Sequence, residues 1–180
     1  MTAIDCWYEV IINETQIQNK VKELGARITR DYEGKDLIIV GILKGSVVFL
    51  SDLIRSIDIP VSIDFISVSS YGCEKESSGI VRLLHDLTKP VKGRDILLVE
   101  DIVDTGLTLK YLMDNLSTRE PRTIRICSLL DKKEARDNGI DLKIDYIGFT
   151  VPKKFLVGYG LDYDEKYRNL PFIAAIIDNK

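Results

Sequence analysis

Apolar runs typical of buried strands alternate along this chain with three- and four-residue stripes typical of helices. The first stripe, within residues 14–30, is carried by Ile17, Val21, Leu24 and Ile28. Buried strands are predicted at 37–42, 61–68, 80–84, 95–100 and 123–130, with shorter ones near 144–149 and 172–177. Strands that alternate with helices in this way are typical of an α/β domain built on a mainly parallel sheet.

Two of these strands lead into a helix through a polar junction. The first junction is Leu43-Lys44-Gly45-Ser46, which is followed by a helix carrying Val47, Leu50 and Ile54. A glycine at such a point frees backbone N–H groups to surround an anion, and the lysine offers a neutralising charge. The same residues would also suit an ordinary helix start with a solvated lysine. On its own, this junction is therefore a weak candidate for an anion site.

The second junction carries the strongest chemical signal in the chain. It reads Glu100-Asp101-Ile102-Val103-Asp104-Thr105-Gly106-Leu107-Thr108 and follows the strand at 95–100. The helix predicted after it has apolar residues at Leu107, Tyr111, Leu112 and Leu116. In open α/β sheets, ligands bind where the carboxyl end of a strand meets the amino end of the next helix. We therefore expect a ligand at this junction.

Opposite charges meet at this second junction, and together they indicate a phosphorylated sugar. The helix amino terminus favours a phosphate through its unpaired N–H groups. Gly106 allows close backbone approach, and Thr105 and Thr108 add hydroxyl donors. The three carboxylates would repel that phosphate unless they bind sugar hydroxyls or Mg²⁺, which takes one or two carboxylates together with substrate oxygens. The alternative is an N-capped helix with surplus acids near its positive end.

Composition limits the possible classes of protein. The chain has 180 residues, which suits one domain, and 25 Lys and Arg against 28 Asp and Glu give a net charge of −3. That balance argues against a nucleic-acid-binding surface, though not against a local phosphate pocket. Cys6, Cys73 and Cys127 are too dispersed for a zinc site and are typical of reduced thiols in a cytoplasmic protein. We expect no signal peptide and no membrane span, since no apolar run approaches ~20 residues.

The acidic run resembles the phosphoribosyl-pyrophosphate (PRPP) signature of the type I phosphoribosyltransferases, and residues 36–175 are similar to their hypoxanthine-guanine branch. The resemblance implies one domain over 1–180, with an α/β core at about 14–150 and a small hood from the amino-terminal arm and about 151–180. It implies purine salvage, in which PRPP gives its 5-phosphoribosyl group to N9 of hypoxanthine or guanine, with IMP or GMP and pyrophosphate as products. Mg²⁺ is the implied cofactor, and a homodimer or homotetramer the implied assembly.

The resemblance also assigns the residues that bind PRPP. Asp104 is implied as the acid/base group at purine N7, and Glu100 and Asp101 as the groups that hold the ribose hydroxyls, directly or through Mg²⁺. The residues implied for the ribose and its 5′-phosphate are Glu100, Asp101, Asp104, Thr105, Gly106, Leu107 and Thr108. Those implied for the pyrophosphate are Leu43, Lys44, Gly45 and Arg168, often with a cis peptide between the first two. The implied metal ligands are Glu100, Asp101 and Asp162.

The purine is assigned to two further segments. In Leu129-Leu130-Asp131-Lys132, the lysine matches the family residue that donates to the oxygen at C6 of the base, and an ammonium group, which only donates, favours a 6-oxopurine. In the hood segment 151–163, the implied purine-binding residues are Phe155, by stacking, Leu156, by its backbone, and Asp162. Without the resemblance, Lys132 would be interpreted as an ordinary surface lysine, Phe155 as an aromatic residue of the core and Asp162 as a turn residue. Ser70-Tyr71 is similar to the start of a mobile loop that closes over the reacting centre.

Several alternatives stay open on the sequence. The preference among hypoxanthine, guanine and xanthine is not fixed, and a uracil-linked relative is disfavoured by Lys132 and Phe155-Leu156. A regulatory RNA-binding protein on the same fold would need a basic face, which the acidic balance does not favour. A receiver-type signalling domain also places acids at strand ends, but the Asp104-Thr105-Gly106 sequence fits it poorly.

Overall fold

The computed structural model describes residues 8–70, 81–136 and 140–177. Helices and strands alternate through most of this part of the chain. The strands are β1 (Tyr8–Ile12), β2 (Leu37–Leu43), β3 (Ser62–Ser70), β4 (Val81–His85), β5 (Asp95–Val103), β6 (Thr123–Asp131), β7 (Tyr146–Thr150), β8 (Leu156–Val157) and β9 (Ile173–Ile176). The α-helices are α1 (Glu14–Asp31), α2 (Val47–Arg55) and α3 (Leu107–Ser117), and a 3₁₀ turn covers Lys133–Ala135.

Within the described residues, six strands form the main sheet in the order β4-β3-β2-β5-β6-β7. All neighbours are parallel except β3 and β4, which pair antiparallel at one edge. The chain leaves β2 toward β3 on one side and leaves β5 toward β6 on the other. The adjacent strands β2 and β5 therefore flank the point where the strand order reverses, and a ligand crevice is expected outside their carboxyl ends.

The central strands are apolar on both faces because helices cover both. On one face, Ile39 and Val99 pack in a core with α1 and α2. On the other face, Val40 and Leu98 pack in a core with α3. The buried stripe of α1 confirms the predicted helix, with Ile17, Val21, Leu24 and Ile28 all inside.

A second, smaller sheet has the order β1-β9-β8 and is antiparallel. It shares the α1/α2 core, since Ile12, Leu156 and Ile173 pack in the same cluster as Leu37. The small sheet joins the amino-terminal arm to the end of the chain, as expected for a hood. The predicted fold class is thus confirmed. Within the described residues, no helix combines the length and apolarity needed to cross a bilayer.

Some predicted boundaries are wrong. Strand β5 continues to Val103, beyond the predicted end at Glu100, so Asp101 lies inside the strand and not after it. Strand β3 likewise continues beyond the predicted end at Val68, through Ser70, whose backbone pairs with Val81. Tyr71 lies outside the described residues. Both strands carry polar residues at their carboxyl ends, and a reading based on apolar runs ends a strand too early there.

Two further details of the sequence reading need correction. Helix α2 buries Phe49, Leu50 and Leu53, whereas Val47 is exposed and Ile54 is half-buried. The helix starts at position 47, and its buried face is set by the sheet beneath it. Strand β1 was not predicted, because its burial alternates irregularly and its pairing partner, β9, lies at the other end of the chain.

Candidate active site

Three segments meet at the carboxyl ends of β2 and β5, in contact close enough to require glycine. A Cβ on Gly45 would lie 1.8 Å from Asp101 Oδ2, and a Cβ on Gly160 would lie 2.1 Å from the carbonyl oxygen of Gly45. Gly160 also adopts a φ of +103°. The Leu43–Lys44 peptide bond is cis, as the resemblance implies. The two predicted junctions therefore form one site together with the hood turn at 158–160.

The two adjacent acids near the end of β5 are incompletely paired: Asp101 is buried, and Glu100 is half-buried with a buried Oε2. Burial and the neighbouring Asp101 raise the pKa of Glu100, and its Oε2 has no hydrogen-bond partner among the described residues. Burial also raises the pKa of Asp101 to about 6, although the backbone N–H groups of Ile102 and of Asp101 itself, and the charge of Arg168, oppose that rise. The charge of Asp162 adds to the rise in the pKa of Asp101. Unpaired buried carboxylates are costly, and they suit a site completed by a ligand.

The loop after β5 forms a phosphate-sized cradle at the start of α3. Gly106 precedes the helix with a φ of +87°, and the hydroxyl of Thr105 accepts a 3.4 Å hydrogen bond from the Leu107 N–H. A cavity of about 100 Å³ opens here. Its walls are Glu100, Ile102, Val103, Asp104, Thr105, Gly106, Thr108 and Leu109. The cavity thus joins one strand acid to the helix amino terminus that favours an anion.

The predicted acid/base residue and the predicted base-selecting residue are in direct contact. Lys132 Nζ lies 3.2 Å from Asp104 Oδ2. The lysine side chain is 12% exposed and the aspartate side chain is 53% exposed. The backbone N–H of Lys132 also donates to Val103 O at 2.9 Å, which fixes the end of β6 to the end of β5. The two groups are therefore placed to contact one planar ligand.

The hood presents an exposed aromatic ring and an open strand edge. Phe155 is 55% exposed and meets Tyr163 edge-to-face at 5.5 Å between ring centroids. The carbonyl of Phe155 accepts from the Ile176 N–H, so its backbone points toward β9. Backbone groups alternate in direction along an antiparallel strand, and those of Leu156 consequently point away from β9. No described strand pairs with that edge, so the backbone groups of Leu156 are free of strand pairing there.

The predicted pyrophosphate cations are bridged by a carboxylate that the sequence did not reveal. Glu165 Oε2 lies 3.1 Å from Lys44 Nζ and 3.6 Å from an Arg168 nitrogen. Arg168 also contacts Asp162 Oδ1 at 2.8 Å and donates to the carbonyl of Gly160 at 2.8 Å. These cations hold the pKa of Glu165 below its usual value, with the Lys44 hydrogen bond as the main cause. The sequence signal is only that Glu165 lies three residues from Asp162 and from Arg168.

The three predicted metal ligands do not form one cluster. In the described part of the chain, no three Asp, Glu, His or Cys side chains are close enough together to hold a metal ion. Glu100 and Asp101 are adjacent in a strand, so their side chains leave on different faces. Nevertheless, the unpartnered Oε2 of Glu100 and the buried Asp101 fit Mg²⁺, which takes few protein ligands and shares the rest with substrate.

Several known proteins are similar to this chain in both sequence and fold. Residues 11–164 match the family profile described as phosphoribosyl transferase domain. The chain is 49% identical over 173 residues to a hypoxanthine-guanine phosphoribosyltransferase of Mycobacterium avium, with 93% of this chain and 84% of that protein covered. The corresponding figures for the hypoxanthine-guanine phosphoribosyltransferase of Dictyostelium discoideum are 49% over 172 residues, with 93% and 94% covered. A crystal structure of a Bacillus anthracis hypoxanthine-guanine phosphoribosyltransferase has a TM-score of 0.89 at 49% identity, with 94% of this chain and 98% of that chain covered.

Proposed function

The chain belongs to the phosphoribosyltransferase family, in its hypoxanthine-guanine branch, and from that premise we propose how its residues perform the reaction. It is a purine-salvage enzyme that transfers the 5-phosphoribosyl group of PRPP to N9 of hypoxanthine or guanine. The products are IMP or GMP and pyrophosphate. The observation that carries the residue assignments is the meeting of Gly45, Asp101 and Gly160 at the reversal point of the sheet.

PRPP lies across the ends of β2 and β5. The cradle at 104–108 binds the 5′-phosphate through backbone N–H groups and the hydroxyls of Thr105 and Thr108. Glu100 and Asp101 accept hydrogen bonds from the ribose hydroxyls. The 43–45 loop and Arg168 bind the pyrophosphate, displacing the Glu165 carboxylate that bridges Lys44 and Arg168 in the free protein.

The purine lies between the hood and the end of β6. Phe155 stacks on its ring, a contact worth about 1–3 kcal/mol by analogy with nucleobase stacking. Lys132 donates a hydrogen bond to the oxygen at C6, and the backbone groups of Leu156 hydrogen-bond to the edge of the base. Because an ammonium group cannot accept a hydrogen bond, the 6-amino group of adenine is disfavoured.

The reaction follows from the charges placed around the anomeric carbon. The bond from that carbon to pyrophosphate breaks while the bond to purine N9 forms, through an oxocarbenium-like transition state by analogy with glycoside cleavage. Lys44 and Arg168 stabilise the negative charge on the leaving pyrophosphate. Asp104 accepts the proton that leaves N7 of the base, and the adjacent Lys132 keeps that carboxylate in place. Water at this centre would hydrolyse PRPP, so the transfer requires that water be excluded.

Mg²⁺ is the proposed cofactor: Glu100 and Asp101 would hold it together with substrate oxygens, and Asp162, which does not cluster with both of them, would hold Mg²⁺ near the pyrophosphate. When bound, it supplies positive charge that offsets the phosphates of PRPP. The burial of Asp101 and of the Glu100 Oε2 atom supports this role, since a cation would offset the cost of ionising these acids.

Assembly, compartment and domain structure are also proposals. We assign one domain to residues 1–180, because both sheets contribute to one apolar core. A homodimer or homotetramer is supported by the exposed apolar side chains of Val47, Ile63 and Leu84. A cytoplasmic location agrees with the buried free thiol of Cys127.

One assay tests the function and the purine assignments together. The protein is incubated with PRPP, Mg²⁺ and, in turn, hypoxanthine, guanine, xanthine, adenine and uracil, and nucleotide formation is measured. We expect product from hypoxanthine or guanine, and strong loss of that activity in Lys132→Ala but not in Lys133→Ala, whose exposed lysine is adjacent. Absence of product from every 6-oxopurine would defeat the proposed function. Equal effects of the two lysine variants would defeat the base assignment alone.

A further inference from the structure

The hood turn at Gly158-Tyr159-Gly160 is held by a partly buried hydrogen bond outside the site. Tyr159 is 3% exposed and has a φ of +49°, which is unusual for a bulky residue. Its hydroxyl donates to Asp52 Oδ2 on α2 at 2.6 Å. Burial and the Asp52 carboxylate raise the pKa of Tyr159, so the hydroxyl keeps its proton. Asp52 also accepts from Gln18 Nε2 at 3.1 Å, which ties it to α1.

The same turn contacts both pyrophosphate-binding elements. The Gly160 N–H donates to the carbonyl of Arg168 at 2.9 Å, and the Gly160 carbonyl accepts from the Arg168 side chain at 2.8 Å. The Gly160 α-carbon lies against the carbonyl of Gly45, with no room for a Cβ. Gly45 in turn lies against Asp101. A continuous series of tight contacts therefore leads from the Tyr159 hydroxyl to Arg168 and to the 43–45 loop.

We propose that Tyr159 and Asp52 are positioning residues for the pyrophosphate end of the site. Their hydrogen bond holds the left-handed turn at 158–160 so that Gly160 fixes Arg168 and the 43–45 loop relative to each other. Among the described residues, no side-chain hydrogen bond joins the Tyr159 hydroxyl or the Asp52 carboxylate to Phe155, Leu156 or Lys132, and Asp162 is reached only through its ion pair with Arg168. Loss of the Tyr159–Asp52 hydrogen bond consequently weakens the binding of PRPP and pyrophosphate more than the binding of the purine or the nucleotide. The inference rests on the proposed function.

The chain offers a matched control for removing one buried tyrosine hydroxyl. Tyr146 is 1% exposed, and its hydroxyl donates to Asp31 Oδ2 at 2.7 Å. It is the first residue of β7, at the end of the sheet opposite the site. Tyr146→Phe and Tyr159→Phe both remove a hydroxyl that donates to a carboxylate, and Tyr146→Phe also removes a 3.3 Å hydrogen bond that the hydroxyl accepts from Arg125. A purely structural role therefore predicts consequences for Tyr146→Phe that are at least as large.

The kinetic test measures KM in both directions of the reaction. For Tyr159→Phe, we expect KM for PRPP and for pyrophosphate to rise about tenfold, with KM for hypoxanthine and IMP changed by less than about twofold; tenfold corresponds to about 1.4 kcal/mol. Tyr146→Phe leaves all four near wild type. Asp52→Ala reproduces the Tyr159→Phe pattern, whereas Asp52→Asn, which keeps an acceptor oxygen, stays near wild type. Equal increases for all four substrates in Tyr159→Phe, or an unchanged KM for PRPP and pyrophosphate, would overturn the proposal.

A second measurement does not depend on turnover. Amide hydrogen exchange is compared by peptide in wild type, Tyr159→Phe, Asp52→Ala and Tyr146→Phe. We expect faster exchange in the peptides covering 43–47 and 158–168 for the first two variants and not for Tyr146→Phe. If the wild type forms no nucleotide but the exchange pattern appears, the function is wrong and the link stands. If nucleotide forms and exchange at 43–47 is unchanged in both Tyr159→Phe and Asp52→Ala, the link is wrong and the function stands.

Discussion

Strand β5 carries acids near both of its ends, and the two ends differ in how completely neighbouring groups pair with those acids. At its start, Asp95 accepts from Arg122 at 3.0 Å and from the Thr123 hydroxyl at 2.7 Å. At its end, Glu100 has an unpartnered buried oxygen among the described residues, and Asp101 has a raised pKa. An unpaired buried carboxylate lowers the stability of the folded protein. The paired Asp95 at the start of β5 therefore stabilises the fold, whereas the acids near its end lower stability by an amount that ligand binding can offset.

Asp64 on β3 extends the comparison. It is 5% exposed, and its carboxylate accepts from the Phe65 N–H at 2.8 Å and from the N–H and hydroxyl of Thr88 at 2.8 and 3.0 Å. Burial alone would raise the pKa of Asp64, but these donors outweigh it and the pKa is lowered. The acids of this sheet therefore divide into those whose carboxylates are fully paired within the protein and those, Glu100 and Asp101, whose pKa values are raised by burial.

The largest effect is expected for Asp104→Asn. The amide cannot accept the N7 proton in the same way, so we expect kcat to fall by about 10²–10⁴-fold. Thermal stability and PRPP binding should change little, since the Asp104 side chain is half exposed. The control is Asp114→Asn, because Asp114 is also exposed and pairs with a lysine, at 2.6 Å. Turnover near wild type in Asp104→Asn would contradict the acid/base role.

Asp64→Ala should have the next largest effect, on stability and not on catalysis. It leaves several buried donors unpaired, so we expect a loss of about 2–4 kcal/mol in the free energy of unfolding at pH 7, measured with urea. The exposed pair of Asp86 with Arg119 gives the control, since Asp86→Ala should cost less than about 1 kcal/mol.

The Asp64 effect should depend on pH in a defined direction. Its folded pKa lies below the ordinary value of 3.8, so between the two values the unfolded state binds more protons and stability rises with pH. The contribution is present above about pH 4 and is lost as the pH falls through the folded pKa. A difference between wild type and Asp64→Ala that does not shrink in acid would show that the carboxylate charge is unimportant.

The smallest effect is expected for Glu100→Gln, and it has the opposite sign. The pKa of Glu100 is higher in the folded protein than its ordinary value of 4.5. The wild type therefore loses stability as the pH rises from about 4.5 through the folded pKa of Glu100. The neutral amide avoids that loss, so the unliganded variant should gain about 1 kcal/mol at pH 8, with weaker PRPP binding. Exposed Glu134→Gln should change neither quantity. A Glu100→Gln protein that is less stable at pH 8 and binds PRPP normally would remove the distinction between the two kinds of acid.

Sequence reasoning located the site through local signals. The apolar strand followed by Glu100-Asp101 and Asp104-Thr105-Gly106 indicated a phosphorylated sugar before any contact was known. It placed the strand end wrongly, because a buried acid inside a strand has the same pattern as the first residue of a loop. It also missed Glu165, since an exposed acid in a charged turn is indistinguishable from ordinary surface.

The chain alone therefore determined the α/β class, the helical stripe of α1 and the two glycine-containing junctions, because each depends on neighbours within a few residues. Only the tertiary structure decided that Gly45, Asp101 and Gly160 lie in contact, and that Tyr159 reaches Asp52 about a hundred positions earlier. Those relations depend on strand order and on the docking of the small sheet, which bring distant segments together. Local periodicity contains no information about which strand ends become neighbours.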